Sequence, residues 1–109
     1  MTIYVASRHE GALKWLEKHG YDGLVQTFWN KEMTKKVKCG DIVIGNLPIY
    51  VIEKILGRGA KVYLIGIPGW PGTQRHSEDR ELSADDMDKK GAYLTEVKTL
   101  VLNQVKLDI

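Results

Sequence analysis

One short stretch, Gly40-Asp41-Ile42-Val43-Ile44-Gly45, constrains the fold of this chain more than any other. Its three consecutive β-branched residues are typical of a strand that is buried on both faces of a sheet. A helical pattern follows over residues 49–56, and a second apolar run occupies residues 62–65. Strand, crossover helix and strand within about 25 residues form a βαβ unit, so the sequence predicts a parallel sheet.

The segment between this strand and its helix is a candidate functional site. Gly45 lets the backbone turn, and Pro48 suits the first turn of a helix. We expect Asn46 to cap that helix, with Leu47 as the alternative. Ligands of parallel α/β sheets bind outside the carboxyl ends of the strands, so Asn46 and Leu47 lie where a ligand is expected. The inward stripe of the helix is predicted to comprise Ile49, Ile52, Ile55 and Leu56.

The remaining chain continues the alternation of strands and helices. Residues 3–6 and 24–28 are predicted strands, and the helix between them ends at Gly20 with Ala12, Leu13 and Leu16 facing inward. Residues 30–37 are predicted to form a short capped helix. Ser83 is expected to cap a further helix that ends at Gly91.

The segment from residue 93 to residue 107 fits two patterns. Its β-branched residues favour a strand, although Leu94, Val97, Val101 and Val105 also fit helical spacing. No repeat or linker divides the chain. The sequence therefore predicts one α/β domain over residues 1–109.

The composition of the chain excludes several classes of protein. Hydrophobic residues make up 43% and charged residues 28%, as in ordinary globular proteins. No apolar run reaches the roughly 18 residues of a membrane span, and the N-terminus lacks a signal peptide's apolar core, so we expect a cytoplasmic protein. The single cysteine, Cys39, excludes an internal disulfide and a multi-cysteine zinc site. It is expected to pack as a small residue before a strand.

The charge distribution favours a small anion over a long nucleic acid. The net charge of +2 is too small to predict a nucleic-acid duplex as partner. The positive excess lies within residues 1–66, so a small polyanion would prefer that part of the chain. Four lysines of the second helical region are expected to form a solvated face rather than a phosphate-binding patch; they are Lys31, Lys35, Lys36 and Lys38.

Ser7-Arg8-His9 falls where the first strand meets its helix. Backbone N–H groups and the helix dipole favour an anion at such a position, and Arg8 can bind a phosphate with two hydrogen bonds. The simpler alternative is that Arg8 and His9 only solvate the loop.

Other candidate side chains give weaker signals. His9 and His19 flank the same helix and cannot share a metal ion, and His76 lacks a second histidine nearby, so no metal site is expected. Trp70 could stack on a nucleobase or could simply cover the edge of the sheet.

Four blocks of the sequence resemble a small Csx-type ancillary family from type III CRISPR loci. Residues 7–12 (S-R-H-E-G-A) resemble its T-R-H-P-G-A, and residues 40–48 (G-D-I-V-I-G-N-L-P) resemble its G-D-x-V-I-G-T-L-P. Residues 58–60 match R-G-A, and residues 80–87 (R-E-L-S-A-D-D-M) resemble R-E-L-S-A-E-D-M. The chain departs from the pattern at Ser7, Glu10 and Asn46, and also in the loop 68–79 and after residue 97.

The resemblance implies a small Rossmann-like (CARF-like) domain that acts as a ring nuclease. Such proteins bind and linearise cyclic oligoadenylate, here expected to be cyclic tetra-adenylate, the second messenger of type III CRISPR complexes. A ribose 2′-OH attacks its own 3′-phosphodiester and leaves 2′,3′-cyclic phosphate and 5′-OH ends, without a metal or cofactor. A C2 homodimer would present each site twice around the ring. The alternatives are a module that sequesters the messenger uncut and a scaffold that binds another CRISPR subunit.

The resemblance also suggests roles for individual residues. Arg8 would clamp a phosphate, and His9 would donate or accept a proton. The residues expected to contact the substrate are Ser7, Gly11, Gly45, Asn46, Leu47, Arg80 and Glu81.

Overall fold

The computed structural model describes residues 1–7, 9–68 and 82–107. Its elements alternate as predicted. They are β1 (Ile3–Val5), α1 (Glu10–Lys18), β2 (Leu24–Gln26), α2 (Lys31–Lys36), β3 (Ile42–Ile44), α3 (Ile49–Gly57), β4 (Lys61–Gly66), α4 (Ala84–Lys90) and β5 (Tyr93–Val97). Among these described residues, no helix has the length and apolar content that crossing a bilayer requires.

The strands form one sheet in the order β2-β1-β3-β4-β5. β1 pairs in parallel with both β2 and β3, β3 pairs in parallel with β4, and β5 is antiparallel to β4. The predicted α/β class and mainly parallel sheet are therefore confirmed, and the fold is Rossmann-like. From β1 the chain continues to β2, which lies on one side of β1, and then crosses to β3, which lies on the other side. The strand order therefore reverses between β1 and β3.

β3 is the centre of the hydrophobic core. The side chains of Val43 and Ile44 are both inaccessible to solvent, although they point to opposite faces of the sheet. Ile44 packs with Val5 and Leu16 in the layer that includes α1 and α4. Val43 packs with Ile52 in the layer that includes α3. Burial of each such side chain contributes about 1.5–3 kcal/mol, and the two layers confirm that this strand is covered on both faces.

A buried carboxylate fixes the start of β3. Asp41 is 4% exposed and accepts hydrogen bonds from the backbone N–H groups of Thr2 and Lys38, each at 2.9 Å. The bond from Lys38 is the main cause that lowers the pKa of the Asp41 carboxyl. Asp41 thereby ties the segments before β1 and β3 together.

Helices α1 and α4 pack closely because Gly11 has no side chain. A Cβ atom on Gly11 would overlap the carbonyl oxygen of Leu82, next to the N-terminus of α4. Further along the interface, the buried indole of Trp15 donates to Asp88 at 2.9 Å. The predicted inward stripe of α1 omitted Trp15, which is more deeply buried than Leu13.

Polar contacts complete the α1–α4 interface. Asp88 also accepts hydrogen bonds from Lys18 and from His19, whose Nε2 lies 2.7 Å away. The bond from Lys18 is the largest cause that holds the pKa of Asp88 well below its usual range. The predicted caps of α4 are confirmed, since Ser83 forms a capping box and Gly91 adopts a left-handed conformation at φ +77°.

The predicted strand over residues 93–107 is confirmed only as far as Val97. Residues 98–107 have no regular secondary structure, and Val101 and Leu107 are more than 80% exposed. Val97 pairs with Val62, and β4 begins just one residue earlier at Lys61. β4, the partner strand of β5, therefore offers no further backbone groups beyond Val97, although the alternation of apolar side chains continues.

Two predicted burial assignments are wrong. Ile49 is 51% exposed because it is the first residue of α3, beside the loop beyond the end of β3. Cys39 is also exposed, in the turn before β3, and its Sγ atom lies against Gly59. Helix packing therefore begins at Ile52, which is 3% exposed.

The contact between Gly11 and Leu82 gives a prediction for stability. We expect Gly11→Ala to lower the free energy of unfolding by about 1–3 kcal/mol, because the added methyl must displace the backbone of Leu82. The matched control is Gly57→Ala in α3, where nothing lies within 4 Å of the added Cβ. That change should raise stability by up to about 1 kcal/mol through helix propensity. Urea unfolding measures both, and equal gains for the two variants would contradict the packing role of Gly11.

Candidate functional site

The two loops that the sequence selected lie side by side where the strand order reverses. The Ala6 N–H donates to the Ile44 carbonyl at 2.8 Å, which extends the pairing of β1 with β3 past Val5. A Cβ on Gly45 would lie 2.6 Å from the Ala6 oxygen, and Gly45 has a φ of +155°. Only glycine suits this approach. Since α1 and α3 pack on opposite faces of the sheet, this is the topological switch point, where α/β sheets commonly bind ligands, and we call the space between the two loops the crevice.

Polar groups hold the β1–α1 loop in a fixed turn. The Ser7 hydroxyl accepts a hydrogen bond from the His9 backbone N–H at 3.1 Å. The carbonyl of Ser7 accepts a bond of 2.9 Å from the side-chain amide of Gln26, at the end of β2. Ser7 therefore shapes the loop through its own backbone and that of its neighbour. Exposed His9 follows as the N-cap residue of α1.

Asn46 does not cap α3, so that prediction is wrong. The N-cap residue is Pro48, and α3 has no side-chain cap from Asn46 or Leu47. The Asn46 amide instead faces the backbone of Ile65 in β4, accepting from its N–H at 3.0 Å and donating to its carbonyl at 3.2 Å. β4 extends beyond the last paired residue of β3, and a side-chain amide offers the same donor and acceptor as a peptide group. Asn46 thus continues the ladder where the backbone of β3 has turned away.

The helices that border the crevice differ from the others in their N-termini. α2 is capped by the side chain of Asn30 and α4 by that of Ser83. α1 and α3, each of nine residues, have no side-chain cap. Their first-turn N–H groups point toward the carboxyl edge of the sheet, and the positive ends of their dipoles favour an anion there.

Among the described residues, few negative charges oppose an anion at this edge. The sequence has no carboxylate in residues 4–7, 26–30, 44–48 or 65–68. Of the acidic residues close to these segments in sequence, Glu10 lies 3.5 Å from Lys14 and Glu32 lies 3.9 Å from Lys35, while Asp41 lies at the opposite end of β3. The edge combines neutral polar groups with two positive helix ends, an arrangement suited to a phosphate group.

The structure brings four of the predicted site residues together, namely Ser7, Gly45, Asn46 and Leu47. Gly11 serves the contact with Leu82, and its predicted contact with a substrate stays a prediction. The predicted residues Arg8, Arg80 and Glu81, together with Trp70 and His76, lie outside the described residues. Within residues 1–7, 9–68 and 82–107, no group of three or more His, Cys, Asp or Glu side chains could hold a metal ion.

Two residues at this edge were not anticipated. Gln26 orients the Ser7 loop, and its polar side chain at the end of a short apolar strand was the available signal. The ring of Tyr93 covers Gly66, which is its partner in the β4–β5 register. A strand glycine commonly leaves room for an aromatic residue on the neighbouring strand.

The Asn46 bonds give a prediction that separates a structural role from a substrate contact. Asn46→Ala should lower the free energy of unfolding by about 1–2 kcal/mol, because both groups of Ile65 lose their partner. Asn46→Asp should cost more at pH 7, since a carboxylate faces the Ile65 carbonyl. That extra cost should shrink as the pH falls, because a protonated carboxyl can donate to this oxygen.

The control for Asn46→Asp is Asn103→Asp, the same change at an exposed position of the C-terminal segment. It should leave the urea midpoint unchanged within experimental error. If Asn46→Asp and Asn103→Asp gave the same midpoint at both pH values, Asn46 would not support the sheet.

Comparison with known proteins identifies a family. Residues 4–100 match the family profile described as "Putative CRISPR-associated protein (Cas_VVA1548)". Searches of curated proteins and of solved structures gave no match. The matched residues include both crevice loops and every strand residue except Ile3, so the chain belongs to the Cas_VVA1548 family of CRISPR-associated proteins.

Proposed function

We propose that this protein is a ring nuclease that binds cyclic oligoadenylate, with cyclic tetra-adenylate as its substrate, and opens the ring to end type III CRISPR signalling. The observation that carries the proposal is the pairing of two uncapped helix N-termini across one crevice in a CRISPR-associated chain. A cyclic oligonucleotide presents phosphates at regular spacing, so it can place more than one anion at such an edge. The ring identity rests on the resemblance noted in the sequence.

The proposed reaction uses the messenger's own hydroxyl as nucleophile. The ribose 2′-oxygen bonds to the adjacent phosphorus, and the bond from phosphorus to the 5′-oxygen breaks. The 2′-hydroxyl proton passes to a base, and the departing 5′-oxygen takes up a proton, which leaves 2′,3′-cyclic phosphate and 5′-OH ends. No metal ion is required by this scheme, because in-line alignment and stabilisation of phosphorane charge supply the catalysis.

We assign the charged roles to the β1–α1 loop. His9 is the proposed proton carrier, since it is exposed at the start of α1 beside the fixed Ser7 turn. Arg8, its neighbour in sequence, is the proposed phosphate clamp, and Arg80 and Glu81 are proposed to contact the ring. Gly45 and Leu47 would contact it through the opposite loop, whose position is held by Asn46.

A two-fold dimer is part of this proposal. Cyclic tetra-adenylate has two-fold symmetry, so two copies of the crevice would contact it equivalently. β5 pairs with β4 of its own chain, so the dimer contact must come from another segment. We propose that residues 98–107 form this contact, because Val101, Val105 and Leu107 are exposed there.

Removing residues 98–109 should give a monomer that no longer binds the ring. Light scattering tests this, and a full-length monomer with full activity would contradict the shared site.

A single assay separates the nuclease from a sequestering module. Radiolabelled cyclic tetra-adenylate is incubated with the protein, with and without EDTA, and linear products are resolved. We expect cleavage under both conditions. Tight binding without cleavage would favour sequestration, and the absence of both would overturn the proposal.

In the same assay, His9→Ala should lose most of its cleavage rate while it retains affinity, because it removes a proton carrier and no phosphate contact. The pH dependence of the single-turnover rate should flatten as well. The control is His19→Ala, which removes a histidine from the other end of α1 that contacts Asp88. Equal cleavage rates for His9→Ala and wild type would show that His9 only solvates the loop and does not carry a proton in the reaction.

Arg8→Ala should weaken both binding and cleavage by roughly tenfold to over a hundredfold, since a charge-assisted bidentate contact contributes about 1.5–3 kcal/mol. Arg8→Lys should recover only part of the loss, because the ammonium keeps the charge and loses the planar fork. Lys61→Ala removes the same charge from an exposed position at the start of β4, at the opposite end of the sheet, and should change neither. Full activity of Arg8→Ala would contradict the clamp.

A further inference from the structure

A groove between α2 and α3 adjoins the crevice and shares Leu47 with it. Its volume is about 740 Å³, within the range of roughly 300–1,000 Å³ that small-molecule sites occupy. Leu47 and Pro48, which follow Asn46 in the β3–α3 loop, line one end, and Gly57 and Arg58 line the other. The groove therefore leads from the candidate site along the whole of α3.

The rim of this groove is positively charged. Lys31 and Lys35 of α2 line one wall, and Lys54 of α3 lines the other. Among the described residues neither Lys31 nor Lys54 forms an ion pair, whereas Lys35 lies 3.9 Å from Glu32. None of the described residues that line the groove is acidic. The four lysines expected from sequence to form only a solvated face thus contribute two members to a concave surface.

Arg58 adds a fixed cation at the end of the groove away from Leu47 and Pro48. Its guanidinium donates to the carbonyl oxygens of Val37, at 2.8 Å, and Lys35, at 2.7 Å. Both partners are neutral, so these bonds hold the side chain in place without neutralising its charge. The end of the groove near Arg58 is consequently preorganised for an anion.

The floor of the groove offers an immobilised aromatic ring. Trp29 is half-buried, its Nε1 donates to the Thr34 hydroxyl at 2.8 Å, and its ring packs edge-on against Tyr4 at 5.9 Å between centroids. Val51 and Leu47 extend the apolar surface beside it. A ligand that matches this floor and rim carries flat apolar groups and negative charges in alternation.

We propose that the groove binds a short single-stranded oligonucleotide, with bases against the apolar floor and phosphates toward the lysines and Arg58. Aromatic platforms combined with a basic groove are a general means of binding single strands. The apolar floor and the basic rim of the groove support this class of ligand. The identification of the ligand as linear oligoadenylate released from the crevice rests on the proposed function. The groove would hold the opened strand as it departs.

The test is fluorescence anisotropy with labelled linear tetra-adenylate RNA. The groove variant is the double substitution Lys31→Gln/Lys54→Gln, one exposed lysine on each wall, and the control is Lys61→Gln/Lys89→Gln, two exposed lysines outside the groove, which gives the same net charge. For single strands, each phosphate contact adds about 0.7 to the magnitude of the slope of log binding constant against log salt concentration. The groove variant lacks two such contacts, so the magnitude of its slope should be about 1.4 smaller. Its affinity at 0.1 M salt should fall roughly tenfold or more, while the control matches wild type.

Two further probes test the bases. An abasic tetramer with the same phosphates and a hexaglutamate peptide should both bind more weakly than tetra-adenylate. Equal binding of either probe, or an unchanged affinity in the groove variant, would overturn the inference.

Ring cleavage measured on the same preparations separates this result from the proposed function. Wild-type cleavage combined with unchanged strand binding in the groove variant would overturn the groove alone. Strand binding that depends on Lys31 and Lys54 without any ring cleavage would overturn the nuclease and leave the groove as a single-strand site.

Discussion

The burial of β3 on both faces is the constraint on which this structure depends. Val43 and Ile44 project into separate layers, so neither layer can form without the strand that they share. The same strand fixes β1 on one side and β4 on the other. Asp41 secures its start, and the close approach of Gly45 to Ala6 sets its end. The position of the candidate site is thus determined by hydrophobic packing before any polar residue contributes.

Side-chain amides then complete the carboxyl edge of the sheet. Gln26 bonds to the backbone after β1, and Asn46 bonds to the backbone of β4, so each joins neighbouring strands beyond their last backbone pairs. Both loops of the crevice are therefore held by groups other than the charged residues to which we assign chemistry. A rigid frame of this kind suits a reaction that depends mainly on alignment.

The sequence predicted the fold where side-chain chemistry and local pattern agree. The run 42–44, the capping box at Ser83 and the left-handed Gly91 each depend on a few adjacent residues, and each was predicted correctly. Asn46 was assigned to the wrong partner because its choice depends on how far β4 extends, which no local pattern encodes. The end of β5 at Val97 has the same cause, since alternation continues where the partner strand has ended.

The predicted site shows the same division. Ser7, Gly45, Asn46 and Leu47 could be grouped from sequence because carboxyl ends of parallel strands share one edge. The contribution of Trp29 and Arg58 to a groove could not, since it depends on the packing of α2 against α3. A lysine-rich helix has the same sequence signature whether it faces open solvent or one wall of a cleft.

The antiparallel pairing of β5 has a consequence for how this family can vary. Gly66 and Tyr93 are register partners, so the chain leaves the sheet after Gly66 and rejoins it at the same edge. α4 lies between these two points and is held against α1 by Gly11 and Trp15. The length of chain between Pro68 and Leu82 can therefore change without altering the register of any strand or the packing of α4. Closure entropy grows slowly, by about 0.6 kcal/mol for each doubling of a loop's length, so insertions and deletions between these two residues cost little folding free energy.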